Sequence, residues 1–400
     1  MPGGGAASTR QGRVTKRILF YVQHLQGVGH VFRASRIVEA LSAAGIAVDV
    51  AYGGEPIAGF DFPGARVHYL PPVRAGGEVF NRLEDPDGNA VDDAYKERRR
   101  DLLLALFDET APDIVITEAF PFGRRQMRFE LMPLLERAKA RANPPLLVSS
   151  IRDILQHNAK PFKDRETVEI LKAHFDHVLV HADPKLVRLE DSFPLTAEIS
   201  DKLLYTGIVS PEPKSVGPDG ERFNVVVSVG GGALGHRLLM AAAQAKRRSC
   251  LSDAKWLLIT GLKFSPEHRA ELTSHLDDGI TVRDFMPDLR SILARAQLSI
   301  SRVGYNTVAD IYRAGCRAIV VPFFDGIETE QITRAALLKK RDLAETVGHD
   351  EQTPEAVAAA IDRIMAAPAP DRTAINLEGA ANTAAILTGL VAGKRVPGAG

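Results

Sequence analysis

From Arg17 onward, short runs rich in β-branched residues alternate with longer stretches whose apolar positions recur at helical spacing. The runs are RILFYVQH (17–24), AVDVAYGG (47–54), IVITEAF (114–120), LLVSSIRD (146–153), HVLVHAD (177–183) and LLYTGIV (203–209). Between the first two, VFRASRIVEALSAAG (31–45) puts Ile37, Val38 and Leu41 on one face, and Gly45 supplies a stop. Such alternation predicts βαβ units and a parallel sheet, a Rossmann-like half.

A stretch rich in Pro and Gly, SPEPKSVGPDG (210–220), then interrupts the pattern, and NVVVSV (224–229) starts it again. The second set continues with KWLLIT (255–260), ITVRDF (280–285), LSIS (298–301) and AIVVPFF (318–324). The expected organisation is a disordered leader (1–15), a first domain (16–209), a linker (210–223) and a second domain (224–372). An Ala-rich helix (373–392) would pack back on the first domain, followed by a tail (393–400). Two α/β domains imply a cleft between them, with ligands at the carboxyl ends of the strands.

Composition narrows the partners. Four hundred residues suit two domains, and 45% apolar with 25% charged residues is ordinary globular usage. Lys+Arg and Asp+Glu both count 50, so the basic field that nucleic-acid binders need is absent. Cys250 and Cys316 have no neighbour at ligand spacing, which suggests neither a disulfide framework nor a zinc site. No run is long enough to span a bilayer, and Met1 to Thr15 lack an apolar signal core, so the expected location is the cytoplasm. KERRRDLLLALF (96–107) reads either as a membrane-surface helix or, more simply, as a core-facing helix with a charged outer side.

Four strand-to-loop transitions carry candidate chemistry. In the first, Gly27 and Gly29 let the chain turn tightly and put His30 at a helix N-terminus facing the cleft; the bland reading is a capping histidine. The second, Gly230 to Gly235, contains GxGxxG after a strand. A dinucleotide site would need an acidic residue after the next strand, and KWLLIT ends in Thr260-Gly261-Leu262-Lys263 without one. The turn glycines Gly231 and Gly232 are instead assigned to the donor-binding site.

In the third, Ser301 to Asp310, backbone N–H groups around Gly304, Asn306 and Thr307 can cradle a diphosphate with Arg302 nearby, while Asp310 either reaches a ribose diol or is a solvated helix carboxylate. In the fourth, Glu330 and Gln331 open a helix with acceptors and a donor suited to vicinal sugar hydroxyls, or simply an acidic first turn. Two polar clusters of the first half, EAFPFGRRQMR (118–128) and SSIRD (149–153), place Glu118, Arg124 and Arg152 on the acceptor side. Asp153 is an alternative base.

The run DFMPDLRSILARAQLSISRVGYNTVADIYRAGCRAIVVPFFDGIETEQ (284–331) resembles the carboxyl domain of glycosyltransferase family 28. FYVQHLQGVGHVFRA (20–34), EAFPFGRRQMRFELMPLL (118–135), SSIRDILQ (149–156) and GYNTVADI (304–311) resemble a bacterial group of predicted glycosyltransferases. The resemblance implies an α/β GT-B fold, two Rossmann-like domains whose parallel sheets face an interdomain cleft. It also implies an inverting transfer from a nucleoside diphosphate sugar, UDP-linked, without a metal or other cofactor. By the same resemblance Asp310 takes the ribose-binding position, Glu330 and Gln331 read sugar hydroxyls, Phe285 and Met286 embrace the base, and His30 corresponds to the family's base. The loop ending in His30 departs from the family's glycine-richer GGTGGH form.

The expected partners are therefore a nucleotide sugar and a hydroxyl acceptor, a glycolipid or cell-envelope polysaccharide precursor, with no nucleic acid. Such an acceptor is compatible with a peripheral contact on the inner face of the cytoplasmic membrane. Two alternatives stand beside transfer: a sugar-nucleotide 2-epimerase on the same fold, and a nucleotide-sugar-binding protein without catalysis.

Overall fold

The computed structural model describes residues 16–25, 29–76, 82–157, 160–211, 221–230, 235–286, 289–324, 328–371 and 375–393. The expected leader, the middle of the linker, the tail beyond 393, and Gly27, Gly231 and Gly232 lie outside the described residues.

The first half holds strands β1 (Arg17–Val22), β2 (Ala47–Tyr52), β3 (Ala65–Tyr69), β4 (Arg74–Gly76), β5 (Arg82–Glu84), β6 (Ile114–Glu118), β7 (Leu146–Arg152), β8 (His177–His181) and β9 (Leu203–Tyr205), of which all but β3, β4 and β5 fall on the apolar runs. Helices α1 (Gly29–Ala43), α2 (Asp93–Thr110), α3 (Arg128–Lys139) and α4 (Phe162–His174) alternate with them. Seven strands form one parallel sheet in the order β3-β2-β1-β6-β7-β8-β9, and β4 pairs with β5 in a separate hairpin. Strand β3 escapes the sequence pattern because an edge strand faces water. There Arg66 and His68 replace apolar residues and both bind Asp49, at 2.7 and 2.8 Å. Helix α2, capped by Asp92 accepting from the Tyr95 N–H, buries Leu103, Leu106 and Phe107, so KERRRDLLLALF is a core-facing helix.

The second half repeats the plan with β10 (Val225–Ser228), β11 (Trp256–Ile259), β12 (Ile280–Arg283), β13 (Leu298–Ser301), β14 (Arg317–Val320) and β15 (Glu345–Thr346). Helices α5 (His236–Ala245), α6 (Pro266–Ser274), α7 (Leu289–Leu293), α8 (Tyr305–Ala314), α9 (Glu330–Lys340) and α10 (Pro354–Ala366) surround a parallel sheet ordered β12-β11-β10-β13-β14-β15. In both sheets the strand order reverses beside the first strand, between β1 and β6 and between β10 and β13. Crevices at such reversals, outside the carboxyl ends of the strands, are where open α/β sheets bind ligands.

The chain finally returns to the first sheet. Helix α11 (Gly379–Val391) sets Ala384 and Leu387 in one apolar cluster with Ile18, Phe20, Ile37 and Leu41. Gly379 makes the crossing possible: a Cβ there would sit 2.4 Å from the Gly207 carbonyl oxygen, which backbone cannot yield. The halves are also bolted at Tyr305, whose hydroxyl donates to the His181 carbonyl (2.9 Å) and accepts from the Val209 N–H (2.8 Å). Among the described residues no helix is long and apolar enough to cross a membrane.

Candidate functional site

A cleft of about 620 Å³ lies where the two strand reversals face each other. Its first-domain wall is built on the start of α1 and the loops after β6 and β7, its second-domain wall on the starts of α8 and α9.

His30, second residue of α1, lines the cleft with Nδ1 2.8 Å from Glu118 Oε1, at the end of β6. A carboxylate oxygen only accepts, so this contact, shorter than the 3.2 Å approach of the Arg33 donor to the same atom, favours the proton on Nδ1 and a lone pair on Nε2. Arg33, one helical turn on, also binds Glu118 and lies 3.2 Å from His30 Nδ1. Burial and then the charge of Arg124 push the His30 imidazole down to about 3, against the pull of Glu118, so it is neutral at physiological pH. Burial raises the Glu118 carboxyl, but Arg33 and His30 more than offset that and hold it at about 2. Glu118 was expected on the acceptor wall; it is instead fully buried behind His30.

These groups make the fold acid-sensitive. His181, fully buried, is likewise pushed by burial to about 3. On unfolding both imidazoles return to about 6.5. Below that pH the unfolded chain binds protons that the folded chain refuses, so stability falls as pH falls. Between pH 7.5 and 5 the two should cost about 4 kcal/mol, and Glu118, whose pKa is depressed, adds a further loss as pH drops below about 4.5. Thermal melts should shift down by several degrees across that window; an unchanged midpoint would mean that both histidines titrate normally.

Arg124 lines the cleft in a left-handed backbone conformation (φ 58°), its Nε donating to the Gln23 carbonyl at 2.8 Å, and burial lowers its pKa to about 10. Arg152 lines the cleft too and pairs across it with Glu330. Asp153, expected as an alternative base, is not on the cleft wall. It holds Arg334 of α9 in a two-point contact, Nε to Oδ2 at 2.8 Å and Nη2 to Oδ1 at 2.6 Å. Arg334 also reaches Glu330 Oε1 at 2.7 Å and the Val303 carbonyl at 2.9 Å. Both oxygens of Glu330 are thus already held by arginines, one from each domain.

On the second-domain wall, Gly304, Asn306 and Thr307 start α8 and line the cleft, as does Gly29 opposite. Asn306 spans the gap: Nδ2 donates to the Gly29 carbonyl (3.2 Å) and Oδ1 accepts from Arg36 (3.3 Å). The Gln331 oxygen accepts from the N–H groups of Val303 (3.4 Å) and Phe323 (3.2 Å), and its side-chain amide bonds the Glu328 carboxylate, another residue of the cleft wall.

Arg302 does not line the cleft. Its guanidinium donates to the Val321 carbonyl at 3.3 Å and lies over the Phe323 ring, where it braces the end of β14. Asp310 lies one turn beyond Asn306 on the same face of α8. One of its oxygens is buried without a hydrogen-bond partner, and burial raises its pKa against Arg36 and Arg290. Phe285 and Met286, after the edge strand β12, stand outside the cleft wall; Phe285 is exposed and Met286 half-buried. Sequence reasoning missed Arg33 and Arg334, although helical spacing could have found both, three residues after His30 and four after Glu330.

Residues 226–385 match the glycosyltransferase family 28 C-terminal domain. A UDP-N-acetylglucosamine–N-acetylmuramyl-(pentapeptide) pyrophosphoryl-undecaprenol N-acetylglucosamine transferase of Rhizobium johnstonii is 30% identical over 187 residues, 43% of this chain and 48% of the relative. The chain thus spans about half the length of that relative. The transferase of the same description from Phenylobacterium zucineum is 27% identical over 358 residues, 85% of this chain and 88% of its own. The calicheamicin glycosyltransferase CalG4 superposes with a TM-score of 0.61 at 16% identity, covering 96% of this chain and 100% of that one. None of these three is described as an epimerase.

Two Rossmann-like domains with parallel sheets on either side of a cleft define the GT-B fold. Within that class of fold, residues 226–385 of this chain resemble the glycosyltransferase family 28 C-terminal domain.

Proposed function

We propose that the chain is an inverting glycosyltransferase that moves a sugar from a UDP-linked donor to a hydroxyl of a lipid-linked cell-envelope precursor. The observation that carries this reading is the neutral His30, backed by Glu118, facing the N-terminus of α8 across one cleft. His30 Nε2 takes the acceptor proton as the acceptor oxygen attacks the anomeric carbon and the bond to the diphosphate breaks. Attack from the face opposite the leaving group inverts the anomeric centre. Glu118 stabilises the imidazolium that forms and stays ionised. The N–H groups at the start of α8 and the cleft arginines offer positive potential to the departing diphosphate, the part a metal plays elsewhere.

Support for the donor and acceptor classes comes from the matched relatives, whose descriptions specify a UDP-linked sugar and an undecaprenol-linked acceptor. With such an acceptor the protein works in the cytoplasm, peripherally on the inner face of the membrane.

On this reading Gly304, Asn306 and Thr307 hold the diphosphate, and the unpartnered Asp310 oxygen receives a ribose hydroxyl. Gln331 and Glu330 read the sugar, Glu330 by exchanging an arginine for hydroxyls. A lost hydrogen bond costs on the order of 1 kcal/mol, about fivefold in affinity. In calorimetric titrations Asp310→Ala should therefore weaken UDP and UDP-sugar alike, whereas Gln331→Ala should weaken UDP-sugar and spare UDP. Equal effects of both changes on both ligands would remove the assignment.

A further inference from the structure

Behind Glu118 runs a chain of buried polar groups, Ser150, His181 and Thr206, that the transfer chemistry leaves unused. The second oxygen of Glu118, Oε2, lies 3.1 Å from Ser150 Oγ. Ser150 Oγ lies 2.9 Å from His181 Nε2, and His181 Nδ1 lies 2.8 Å from Thr206 Oγ1. All four side chains are buried, and they stand at the ends of neighbouring strands, β6, β7, β8 and just past β9. The chain ends at the domain joint, because the His181 carbonyl accepts the Tyr305 hydroxyl from the start of α8.

Ser150 has one hydroxyl proton, so the chain admits two polarities. In one, Thr206 donates to His181 Nδ1, His181 Nε2–H donates to Ser150, and Ser150 donates to Glu118. In the other, Thr206 donates to the Gly207 carbonyl (2.9 Å), His181 Nδ1–H donates to Thr206, and Ser150 donates to His181. Only the first gives Glu118 Oε2 a donor, and a buried carboxylate oxygen without one is costly.

We propose that the first polarity is the resting state and that His181 is a positioning residue, which through Ser150 fixes Glu118 so that His30 keeps its proton on Nδ1 and presents Nε2 to the acceptor. The proposal rests on the reading of His30 as the base. With His30 and Arg33 on Oε1 and Ser150 on Oε2, the carboxylate is held from both sides and cannot rotate. A neutral relay does this without adding a charge to the interior.

The test is the tautomer of each histidine, read from ring nitrogen-15 shifts of histidine-labelled full-length protein, with His30→Gln and His181→Gln used for assignment. The expected spectrum shows His181 protonated at Nε2 and His30 at Nδ1. Ser150→Ala, which leaves the ring of His30 untouched, should let a measurable share of His30 move to the Nε2–H form. His181 protonated at Nδ1, or an unchanged His30 tautomer in a folded Ser150→Ala protein, overturns the relay. Failure of the base reading looks different: the tautomers stand, and His30→Ala retains turnover.

Discussion

Replacement of His30 by alanine is expected to lower turnover about 100- to 10,000-fold while leaving donor affinity nearly intact, the signature of a lost general base. Asparagine should fare no better. A capping role would let His30→Asn keep most of its activity, because asparagine caps helices well. The histidine side chain, however, spends Nδ1 on Glu118 rather than on the N–H groups of α1, and an amide in its place offers no basic nitrogen to the cleft. Turnover at saturating donor, with donor affinity measured separately, decides between these roles. A His30→Asn protein that retains more than about a tenth of the wild-type rate would make His30 structural. Asp153 would not then inherit the role, since Arg334 occupies both its oxygens.

Arg334→Met should cost about 3 to 5 kcal/mol of unfolding free energy. Arg334 is almost fully buried and neutralises Asp153 from the first domain and Glu330 from its own helix. Removal strands two buried carboxylates at the joint, of which Arg152 can compensate only Glu330. Combining Arg334→Met with Asp153→Asn should recover part of the loss, because one of the stranded charges is then gone. Denaturant midpoints of the single and double variants measure this. A single variant within about 1 kcal/mol of wild type would mean that the cluster is solvated and contributes no more than a surface pair.

Most of the fold was legible because buried parallel strands must be apolar along their length, and runs such as IVITEAF and NVVVSV declare themselves. Strand β3 did not, since half its surroundings are water and its role is carried by Arg66, His68 and the buried Asp49. The site was legible where glycine turns and helix starts meet strand ends, which is why His30, Gly304 and Gln331 do line one cleft. Partnerships were not legible. Glu118 and Asp153 both follow strands and both looked like cleft carboxylates, yet one turned inward to His30 and the other to an arginine 181 residues away. Arg302 looked like a phosphate ligand by proximity to Gly304, but its side chain is drawn to the free carbonyls at the end of β14. Sequence spacing fixes which residues reach a strand end; which charge each one meets depends on the packing of the other domain.

The central claim is transfer between two substrates in one cleft, and labelled UDP-N-acetylglucosamine, with other UDP-, GDP- and dTDP-sugars beside it, tests it most directly. Each donor would be incubated with undecaprenyl-diphosphate-linked N-acetylmuramyl-pentapeptide and with lipid extracted from bacterial membranes, and the products followed by NMR. The account predicts that label passes to a lipid acceptor with the anomeric configuration inverted and one nucleoside diphosphate released per sugar, and that His30→Ala slows this at least about 100-fold. Conversion of the donor sugar to its epimer without acceptor, or binding of a donor with neither transfer nor hydrolysis under any pairing, would contradict it.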